Sequence, residues 1–577
     1  MPIRRIAQLL FFAVLTATPL AAQEYTAGIP LDWPMLGRSR VTEAPSAMVV
    51  SGHPLASEVG RDVLKRGGNA IDAAVAVAFA LAVVHPEAGN IGGGGFLLFR
   101  RGTGQAYGLD FRERAPGAAT ATMYVGSGGQ PAPSSHTGHL ASGVPGSVAG
   151  LAEAHRRFGR LPWRTLLAPA IRLARDGFVI DQYRSESIAD DSTRLKSFPA
   201  SAAQFLPGGA PPAPGSTFRQ ADLARTLEAI RDRGSAGFYR GWVADSIVAE
   251  MRRGGGLITH ADLAGYRPLW KVPLRFTYRG YSLLAMPPVS SGGVTLAMIL
   301  NQMEGLPVLP PFGSAALLHR EAEAMRRAYI ERNVNLGDPA FVTNPVARLI
   351  SKAHGTRLRK TIDTTRATPT PDAIAQLREG PSTTHFSVVD AAGNSVSLTT
   401  TINSLYGNAV TVRGAGFLLN DEMDDFTTVP GRANQWGSVD GGANLIAPGK
   451  RMLSSMTPTI VLDPRGRLYL LVGSPGGTTI ITTVYHIVSN LIDHGMTLAA
   501  AVAAPRMFHQ ARPDSIQLER KDSLPDGVPD ATVAALTRLG HFVRFRSYMG
   551  DVEAIIRTPT GWQGVSDPRR GGGGAGY

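Results

Sequence analysis

The chain has 577 residues, of which 44% are hydrophobic and 18% are charged, values typical of folded globular proteins. Its formal net charge is +13, but the basic residues are scattered, without a basic block or interleaved aromatic residues. This pattern argues against a nucleic-acid-binding surface, and we expect no nucleic-acid partner. The chain has no cysteine, which excludes disulfides and thiolate metal ligands.

The N-terminus has the composition of a secretory signal peptide. Arg4 and Arg5 precede an apolar run over residues 6–15, and a stretch rich in small residues follows as far as Ala22. The apolar run is too short to cross a bilayer. We therefore predict a signal peptide over residues 1–22, export to the periplasm or the extracellular medium, and no membrane span.

Helical patterns dominate the first half of the chain. The Ala-rich residues 70–84 follow Asn69, a good helix cap, and indicate a buried helix. Strand patterns over residues 96–100 and 106–112 predict a hairpin. Further helices are predicted over residues 55–66, 147–158, 163–176, 220–233, 241–254, 294–303 and 314–332. These elements predict helix layers that pack against a sheet.

Glycine and proline mark several other stretches. Residues 198–216 are predicted as a surface loop, residues 278–285 as one strand, and residues 571–574 as a flexible end. The glycines of residues 89–95 precede a strand rather than a helix and lack a following Lys-Ser/Thr, so they do not match a nucleotide-binding loop. We expect them to allow close backbone approach at the wall of a buried site.

The second half of the chain is rich in paired strands. Residues 384–390 and 394–401 flank one short turn, and residues 457–463 and 468–474 flank another, so both pairs predict hairpins. A helix is predicted over residues 478–491. Hairpins that alternate with long helices predict an α+β fold of stacked antiparallel sheets covered by helices.

A hydroxyl residue stands at the start of one of these strands. Thr383 lies between the polar stretch that ends at Ser382 and the alternation that begins at Thr384. If the bond before Thr383 were cut, this residue would carry a nucleophilic oxygen and a free α-amine with a pKa of about 8. Such an amine can activate its own threonine hydroxyl. Alternatively, Thr383 is an ordinary β-branched residue that opens a strand.

Other catalytic classes find little support. The thirteen histidines include no His-x-x-x-His pair, and the acidic cluster of Asp421, Glu422, Asp424 and Asp425 lacks the spacing of a calcium loop. No Gly-x-Ser-x-Gly elbow is present. We therefore expect no metal, no cofactor and no conventional serine triad.

Several motifs, in order along nearly the whole chain after the signal, resemble the γ-glutamyltranspeptidase family. They are residues 89–95, 110–113, 168–177, 383–390 (Thr-Thr-His-Phe-Ser-Val-Val-Asp), 401–403, 418–426, 453–459 and 473–477. The resemblance implies an N-terminal-nucleophile hydrolase fold, an αββα sandwich, and a proenzyme that cuts itself between Ser382 and Thr383. The large subunit (residues 23–382) and the small catalytic subunit (residues 383–577) are expected to stay associated as a heterodimer.

The same resemblance assigns roles to individual residues. Thr383 is the expected nucleophile, and Thr401 would orient it. The backbone N–H groups of Gly476 and Gly477 would form an oxyanion hole. The residues expected to bind substrate are Arg112, Ser454 and Ser455 for its α-carboxylate, and Glu422, Asp425 and Asn403 for its α-ammonium. If the resemblance is set aside, the two serines are expected to form only a polar turn and the acidic residues a solvent-exposed loop. The two glycines would then simply form a turn before a helix.

The implied substrates are glutathione and other γ-glutamyl compounds. We expect Arg112 at one end of a pocket and the carboxylates of Glu422 and Asp425 at the other, which would select a free amino-acid head group. The γ-carbonyl would then face Thr383. The glutamyl group would pass through an acyl-enzyme to water or to an amino-acid or dipeptide acceptor.

One residue departs from the family pattern. Residues 430–447 occupy the place of the family's lid loop, so the chain resembles the members that have a lid, but Trp436 stands where bacterial members often carry a tyrosine. An indole can donate one hydrogen bond. The replacement nevertheless puts the expected contact with Asn403 in doubt.

Two alternative functions stay open. One is a β-lactam (cephalosporin) acylase on the same fold, which would have less need of groups that grip an amino-acid head group. The other is a secreted binding protein without catalysis, which would need neither Thr383 nor the pair Gly476 and Gly477. A denaturing gel would distinguish the two cases, because a self-cleaving enzyme should appear as two fragments and a binding protein as one uncut chain.

Overall fold

The computed structural model describes residues 39–370, 383–437, 441–519 and 527–577. The predicted signal peptide and Ser382 lie outside these residues. Within the described ranges, no helix combines the length and the apolar character needed to cross a bilayer.

The elements follow the sequence pattern closely. The strands are β1 (Arg40–Ala44), β2 (Met48–Ser51), β3 (Gly94–Arg100), β4 (Ala106–Asp110), β5 (Phe178–Val179), β6 (Thr217–Phe218), β7 (Leu269–Lys271), β8 (Leu274–Tyr278), β9 (Tyr281–Ala285), β10 (Thr383–Val389), β11 (Ser395–Thr401), β12 (Thr459–Leu462), β13 (Leu468–Val472), β14 (Met507–Phe508), β15 (Ile516–Glu519), β16 (Val543–Arg546), β17 (Glu553–Thr558), β18 (Gly561–Ser566) and β19 (Gly573–Gly576). The helices are α1 (Pro54–Lys65), α2 (Ala70–Val84), α3 (Ser147–Phe158), α4 (Trp163–Asp176), α5 (Gln182–Asp190), α6 (Ser192–Lys196), α7 (Pro199–Phe205), α8 (Ala221–Arg233), α9 (Ala236–Tyr239), α10 (Trp242–Gly254), α11 (His260–Gly265), α12 (Gly292–Glu304), α13 (Ala315–Asn335), α14 (Val346–Leu349), α15 (Lys352–Arg359), α16 (Ile480–Ile492), α17 (Leu498–Ala503) and α18 (Asp530–Arg538).

Two seven-stranded antiparallel sheets form the centre of the fold. Sheet I has the order β19-β2-β10-β11-β3-β4-β7, and sheet II has the order β1-β18-β17-β13-β12-β9-β8. Along β3, Leu97 and Phe99 join the core shared with α1, α2, α4 and α8, whereas Phe96 and Leu98 join the core shared with sheet II and with α12, α13 and α16. Because side chains alternate along a strand, the two faces of sheet I pack against different layers, helices on one side and sheet II on the other. Helix α12 in turn contacts β8 and β9 of sheet II. The predicted α+β fold with αββα layers is confirmed.

Helix α2 is buried along its whole length, as its composition predicts. Asn69 caps it through a reciprocal capping box with Asp72. Gly60 of α1 lets the two helices approach closely, because a Cβ at this position would lie 2.6 Å from Val77 Cγ2. The two helices therefore form a tight layer on sheet I.

The central hairpin of sheet I carries Thr383. Thr383 pairs with Thr401 in the antiparallel register of β10 and β11, and Thr401 pairs with Gly94 of β3. A Cβ on the preceding Gly93 would lie 2.0 Å from the carbonyl oxygen of Thr401. The close backbone approach predicted for this glycine run is confirmed.

Two predictions about the first half are wrong. Residues 198–216 include helix α7, and Phe205 at its end is buried, because the apolar residues of this stretch pack into the core. Residues 278–285 do not form one strand. Arg279 and Gly280 both have positive φ angles, 49° and 84°, and make a tight turn between β8 and β9.

The prediction of a flexible C-terminus is also wrong. Strand β19 pairs with β2, with Gly573 opposite Ser51, and closes the edge of sheet I. A Cβ on Gly576 would lie 2.5 Å from Ala44 Cβ, so the crowded strand accepts only glycine here. Backbone pairing holds this segment without any contribution from large side chains.

A buried carboxyl group between α13 and α16 predicts a pH dependence of stability. Burial raises the pKa of Glu321 to about 8, and Tyr485 Oη donates a 3.0 Å hydrogen bond to it. In the unfolded chain this carboxyl would ionise near its ordinary pKa of 4.5. Between these two pH values the folded state binds more protons than the unfolded state does, so this group makes the free energy of unfolding fall as the pH rises. The melting temperature of Glu321→Gln relative to wild type should therefore rise between about pH 5 and pH 8, whereas exposed Glu58→Gln should show no such trend.

Candidate active site

A cavity lies at the end of strands β10 and β11. It is lined by Arg112, Arg332, Thr383, Thr401, Asn403, Glu422, Asp425, Asn434, Trp436, Leu453, Ser454, Ser455, Met456, Gly477, Thr478 and Ile480. Every residue predicted for catalysis or substrate binding is among them except Gly476, the chain neighbour of Gly477. The structure thus brings together residues that are more than 360 positions apart in the sequence.

Thr383 stands at the wall of this cavity as the first residue of β10. Its hydroxyl donates a hydrogen bond to Thr401 Oγ1 at 3.2 Å, and the backbone N–H of Asn403 donates to the same Thr401 oxygen at 2.8 Å. Asn403 has a positive φ of 71°, which asparagine tolerates better than most residues. This bend after β11 fixes Thr401, and Thr401 in turn orients the hydroxyl of Thr383.

The indole of Trp436 covers one side of the cavity. Its Nε1–H donates to Asn403 Oδ1 at 3.0 Å, and Asn403 Nδ2 donates to the carbonyl of Asp421 at 3.0 Å. The contact with Asn403 is therefore present with tryptophan in place of tyrosine. A Cβ on Gly477 would lie 3.0 Å from the indole, so the glycine leaves room for the larger ring.

Two glycines form the turn before helix α16. Gly476 and Gly477 have φ angles of 128° and 55°, which side chains with a Cβ rarely adopt. The N–H and hydroxyl of Thr479 both donate to the carbonyl of Gly476 and hold the turn. Gly477 lies at the cavity and at the N-terminal end of a helix, where backbone N–H groups favour negative charge.

A buried arginine forms ion pairs with two carboxylates of the cavity. Arg112 Nη1 lies 2.5 Å from Glu422 Oε2, Nη2 pairs with Asp425, and Nε donates to the carbonyl of Met452 at 3.3 Å. The prediction that these charges lie at opposite ends of the pocket is therefore wrong. Leaving either charge unpaired at so buried a position would cost several kcal/mol, which favours direct contact.

Burial controls the ionisation of this cluster. Burial by itself lowers the pKa of Arg112, but the carboxyl groups of Glu422, Asp425 and Glu113 raise it above its ordinary value. Burial raises the pKa of Glu422 well above its usual range, against the opposing effect of Arg112. Burial likewise raises the pKa of Glu113 to about 8. The guanidinium thus stays charged, and the carboxyl groups of Glu113 and Glu422 hold protons more tightly than exposed ones do.

A second arginine lies at the cavity and was missed by the sequence analysis. Arg332, in the last turn of α13, donates from Nη2 to Ser455 Oγ at 3.2 Å and from Nε to Ser291 Oγ at 2.9 Å. The neighbouring Ser454 Oγ accepts from the N–H of Met456 at 3.2 Å. No motif surrounds Arg332, so only the tertiary fold could identify it. The other lining residues that were not predicted are Asn434, Leu453, Met456, Thr478 and Ile480, of which Leu453 and Met456 lie within a family motif.

A possible metal site among the described residues lies outside the cavity lining. Ligand atoms of His319, Glu323 and His541 lie within 4.8 Å of one another. The Glu323 carboxylate already accepts hydrogen bonds from Arg327 Nη1 at 2.5 Å and from Thr368 Oγ1 at 2.6 Å. The adjacent guanidinium also repels a further cation, so the trio fits a metal ion poorly.

Comparison with known proteins identifies the family. The profile of gamma-glutamyltranspeptidase matches residues 56–577. The glutathione hydrolase proenzyme of Escherichia coli (strain K12) is 44% identical over 538 residues, which are 91% of each chain. The acylase ACY 1 proenzyme of Pseudomonas sp. (strain SE83) is 40% identical over 523 residues, 89% of this chain and 90% of that protein. The crystal structure of cephalosporin acylase from Bacillus halodurans is similar with a TM-score of 0.81 at 28% identity, covering 97% of this chain and 99% of the other. The chain therefore belongs to the γ-glutamyltranspeptidase family and has its N-terminal-nucleophile hydrolase fold.

Proposed function

We propose that the protein is a self-cleaving γ-glutamyltransferase and glutathione hydrolase. The observation that carries this proposal is the Thr383 hydroxyl at the wall of a cavity that also contains a buried arginine–carboxylate cluster. The similarity to a glutathione hydrolase proenzyme supports both the reaction and maturation by cleavage. The cut between Ser382 and Thr383 would give a large subunit of residues 23–382 and a small subunit of residues 383–577, which stay associated.

Self-cleavage would begin at the Thr383 hydroxyl. Its oxygen attacks the carbonyl carbon of Ser382, the C–N bond to Thr383 breaks, and the nitrogen takes up the hydroxyl proton to become a free amine. Water then hydrolyses the ester and restores the hydroxyl. Thr401, 3.2 Å from this hydroxyl, orients it throughout. The new α-amine, with a pKa of about 8, can then act as the base for turnover.

The cavity would bind the amino-acid head group of the substrate. The groups proposed for the α-carboxylate are Arg112, Ser454 and Ser455, and those for the α-ammonium are Glu422, Asp425 and Asn403. Because Arg112 already pairs with both acidic residues, the head group would insert into an existing charge network. A zwitterion has no net charge, so it leaves the charge balance of this buried network unchanged.

Turnover would then proceed through an ester of Thr383. The Thr383 oxygen attacks the γ-carbonyl of glutathione or another γ-glutamyl compound, and its amine carries the proton to the departing nitrogen. The N–H groups of Gly476 and Gly477 are proposed to receive the oxyanion. Water, or the amine of an amino-acid or dipeptide acceptor, then takes the glutamyl group and regenerates the hydroxyl.

Two chromogenic amides distinguish this function from that of an acylase. γ-Glutamyl p-nitroanilide and glutaryl p-nitroanilide differ only in the α-amino group. We expect kcat/KM to be at least about 100-fold higher for the glutamyl compound, because losing the ammonium leaves its buried polar partners unpaired. Equal values would favour the acylase function that the similarity to the acylase ACY 1 proenzyme and to the cephalosporin acylase of Bacillus halodurans also permits.

We also propose that the protein is exported to the periplasm or the extracellular medium. The argument is the charged and apolar pattern of residues 1–22, which ends in small residues. N-terminal sequencing of the two fragments of the purified enzyme should find chains that begin at Gln23 and at Thr383. A first fragment that begins at Met1 would contradict export by cleavage of a signal peptide.

Trp436→Phe is expected to weaken substrate binding moderately. The change removes the indole N–H that donates to Asn403 Oδ1 but keeps an aromatic ring. A hydrogen bond of this kind contributes about 0.5–1.5 kcal/mol, so KM for γ-glutamyl p-nitroanilide should rise about two- to tenfold. Trp163→Phe is the matched control, because its indole donates to the carbonyl of Ile230 away from the cavity. Equal KM values for the two variants would contradict a role for the Trp436 contact.

A further inference from the structure

One face of α13 presents buried charged side chains to an irregular segment. Glu323, Arg326 and Arg327 are only 1%, 3% and 9% exposed. Buried charges are stable only when they are paired or hydrogen-bonded. Most of the partners of these three residues lie in residues 361–370, which follow α15 and contain no helix or strand.

Two residues of this face, Arg327 and Glu323, form hydrogen bonds with two threonines of the segment. Arg327 donates to the hydroxyl of Thr361 from Nε and to its carbonyl from Nη2, both at 2.7 Å. Glu323 accepts from the backbone N–H of Thr368 at 3.0 Å and from its hydroxyl at 2.6 Å. Backbone and side chain are thus both held, which fixes the course of the segment along α13.

The end of the segment is held from two sides. The Thr370 hydroxyl accepts from Arg326 Nη2, and its backbone N–H donates to Asp514 Oδ2 at 2.6 Å. Arg326 Nη1 in turn donates to Asp514 Oδ1 at 2.6 Å. The N–H of Ala367 donates to the carbonyl of Leu539 at 2.7 Å. Asp514 and Leu539 belong to the proposed small subunit, whereas the segment and α13 belong to the large one.

We propose that these contacts form a tail clamp, defined as Glu323, Arg326, Arg327 and Asp514 with Thr361, Thr368 and Thr370, which positions the scissile bond for self-cleavage. This inference rests on the proposed function. Thr370 is fixed by the clamp, and Thr383 is fixed by its pairing with Thr401. Twelve residues (371–382) therefore connect two fixed positions of the chain. Without the clamp, the Asp363 carbonyl, 2.7 Å from His319 Nε2, and the Ala367 N–H still tie the segment to the fold. When these two contacts are lost as well, the unfixed stretch grows from twelve to 23 residues (360–382).

The expected effect follows from loop closure. The free-energy cost of closing a loop grows with the logarithm of its length, so the probability of closure falls as the three-halves power of the length. Complete release of the segment should therefore slow self-cleavage by up to about threefold. The clamp residues do not line the cavity, so turnover by chains that have already been cut should not change. The clamp residues are therefore positioning residues for maturation rather than catalytic residues.

The double variant Thr368→Val/Thr370→Val tests the clamp with little change in shape. The full chain is made by cell-free translation, synthesis is stopped, and the fraction cut is followed on denaturing gels. Both valines keep their backbone N–H groups and the bonds these make to Glu323 and Asp514, so the release is partial. We expect a rate constant that is lower than wild type by up to about threefold and an unchanged kcat per small subunit with γ-glutamyl p-nitroanilide. Asp514→Asn should slow cleavage in the same direction from the small-subunit side.

Two controls make the test specific. Thr365→Val changes the same residue type in the same segment, but the Thr365 hydroxyl contacts only the exposed Asp363, so wild-type cleavage is expected. Thr368→Ser/Thr370→Ser keeps both hydroxyls and should restore the wild-type rate. Cleavage of the valine variant at the wild-type rate, or a parallel loss of kcat and melting temperature, would overturn the clamp. A wild-type chain that is never cut before Thr383 would instead overturn the proposed function itself.

Discussion

Thr383→Ala is expected to leave one uncut chain with no measurable turnover. The alanine removes the oxygen that attacks the Ser382 carbonyl, and without the cut no terminal amine forms to act as a base. Both steps therefore fail together. Denaturing gels and release of p-nitroaniline from the γ-glutamyl amide measure the two losses on the same preparation. A full loss of nucleophilic catalysis corresponds to a rate reduction of about 10⁴-fold or more.

Two matched variants make this result specific to Thr383. Thr383→Ser keeps both the oxygen and the future amine, so it should still be cut and should retain activity. Thr384→Ala changes the next residue of β10, which pairs with Thr400 rather than with Thr401, and should still be cut. Two fragments from Thr383→Ala would show that the nucleophile lies elsewhere, and Thr384 would then be the first residue to test.

Elements with local signals were predicted well from the sequence. Asn69 and Asp72 form the capping box at the start of α2, and the cap and the Ala-rich run are both visible in the sequence. The hairpin of β10 and β11 follows from two alternating stretches and a short turn. In such cases the residues that decide the structure lie within a few positions of one another.

Elements that depend on distant partners were not predictable in this way. Strand β19 forms because β2, more than 500 residues earlier, offers an open edge, and its glycine-rich composition alone suggests flexibility. Arg332 reaches the cavity because α13 ends there, although nothing near it in sequence marks a site. Likewise, the residues predicted for the site line one cavity with the exception of Gly476, but the direct pairing of Arg112 with Glu422 and Asp425 depends on how deeply the fold buries them.

Arg112→Lys is expected to raise KM for γ-glutamyl p-nitroanilide about 10- to 100-fold while self-cleavage continues. The planar guanidinium reaches Glu422, Asp425 and the Met452 carbonyl at once, whereas a lysine ammonium is a single point of charge and cannot hold all three. A hydrogen bond to a charged group contributes about 1.5–3 kcal/mol, which sets this range. Steady-state kinetics and denaturing gels measure the two outcomes.

Arg112→Lys is also a cleaner test than Arg112→Ala. Alanine would leave the buried carboxyl groups of Glu422 and Glu113 without their cation, and breaking a buried pair in this way costs about 3–5 kcal/mol of stability. Lost activity in Arg112→Ala would therefore reflect unfolding as well as binding. Arg114→Lys serves as the control, because Arg114 donates to the carbonyl of Gly449 and does not line the cavity. An unchanged KM in Arg112→Lys would mean that Arg112 holds the acidic residues in place but does not bind the substrate.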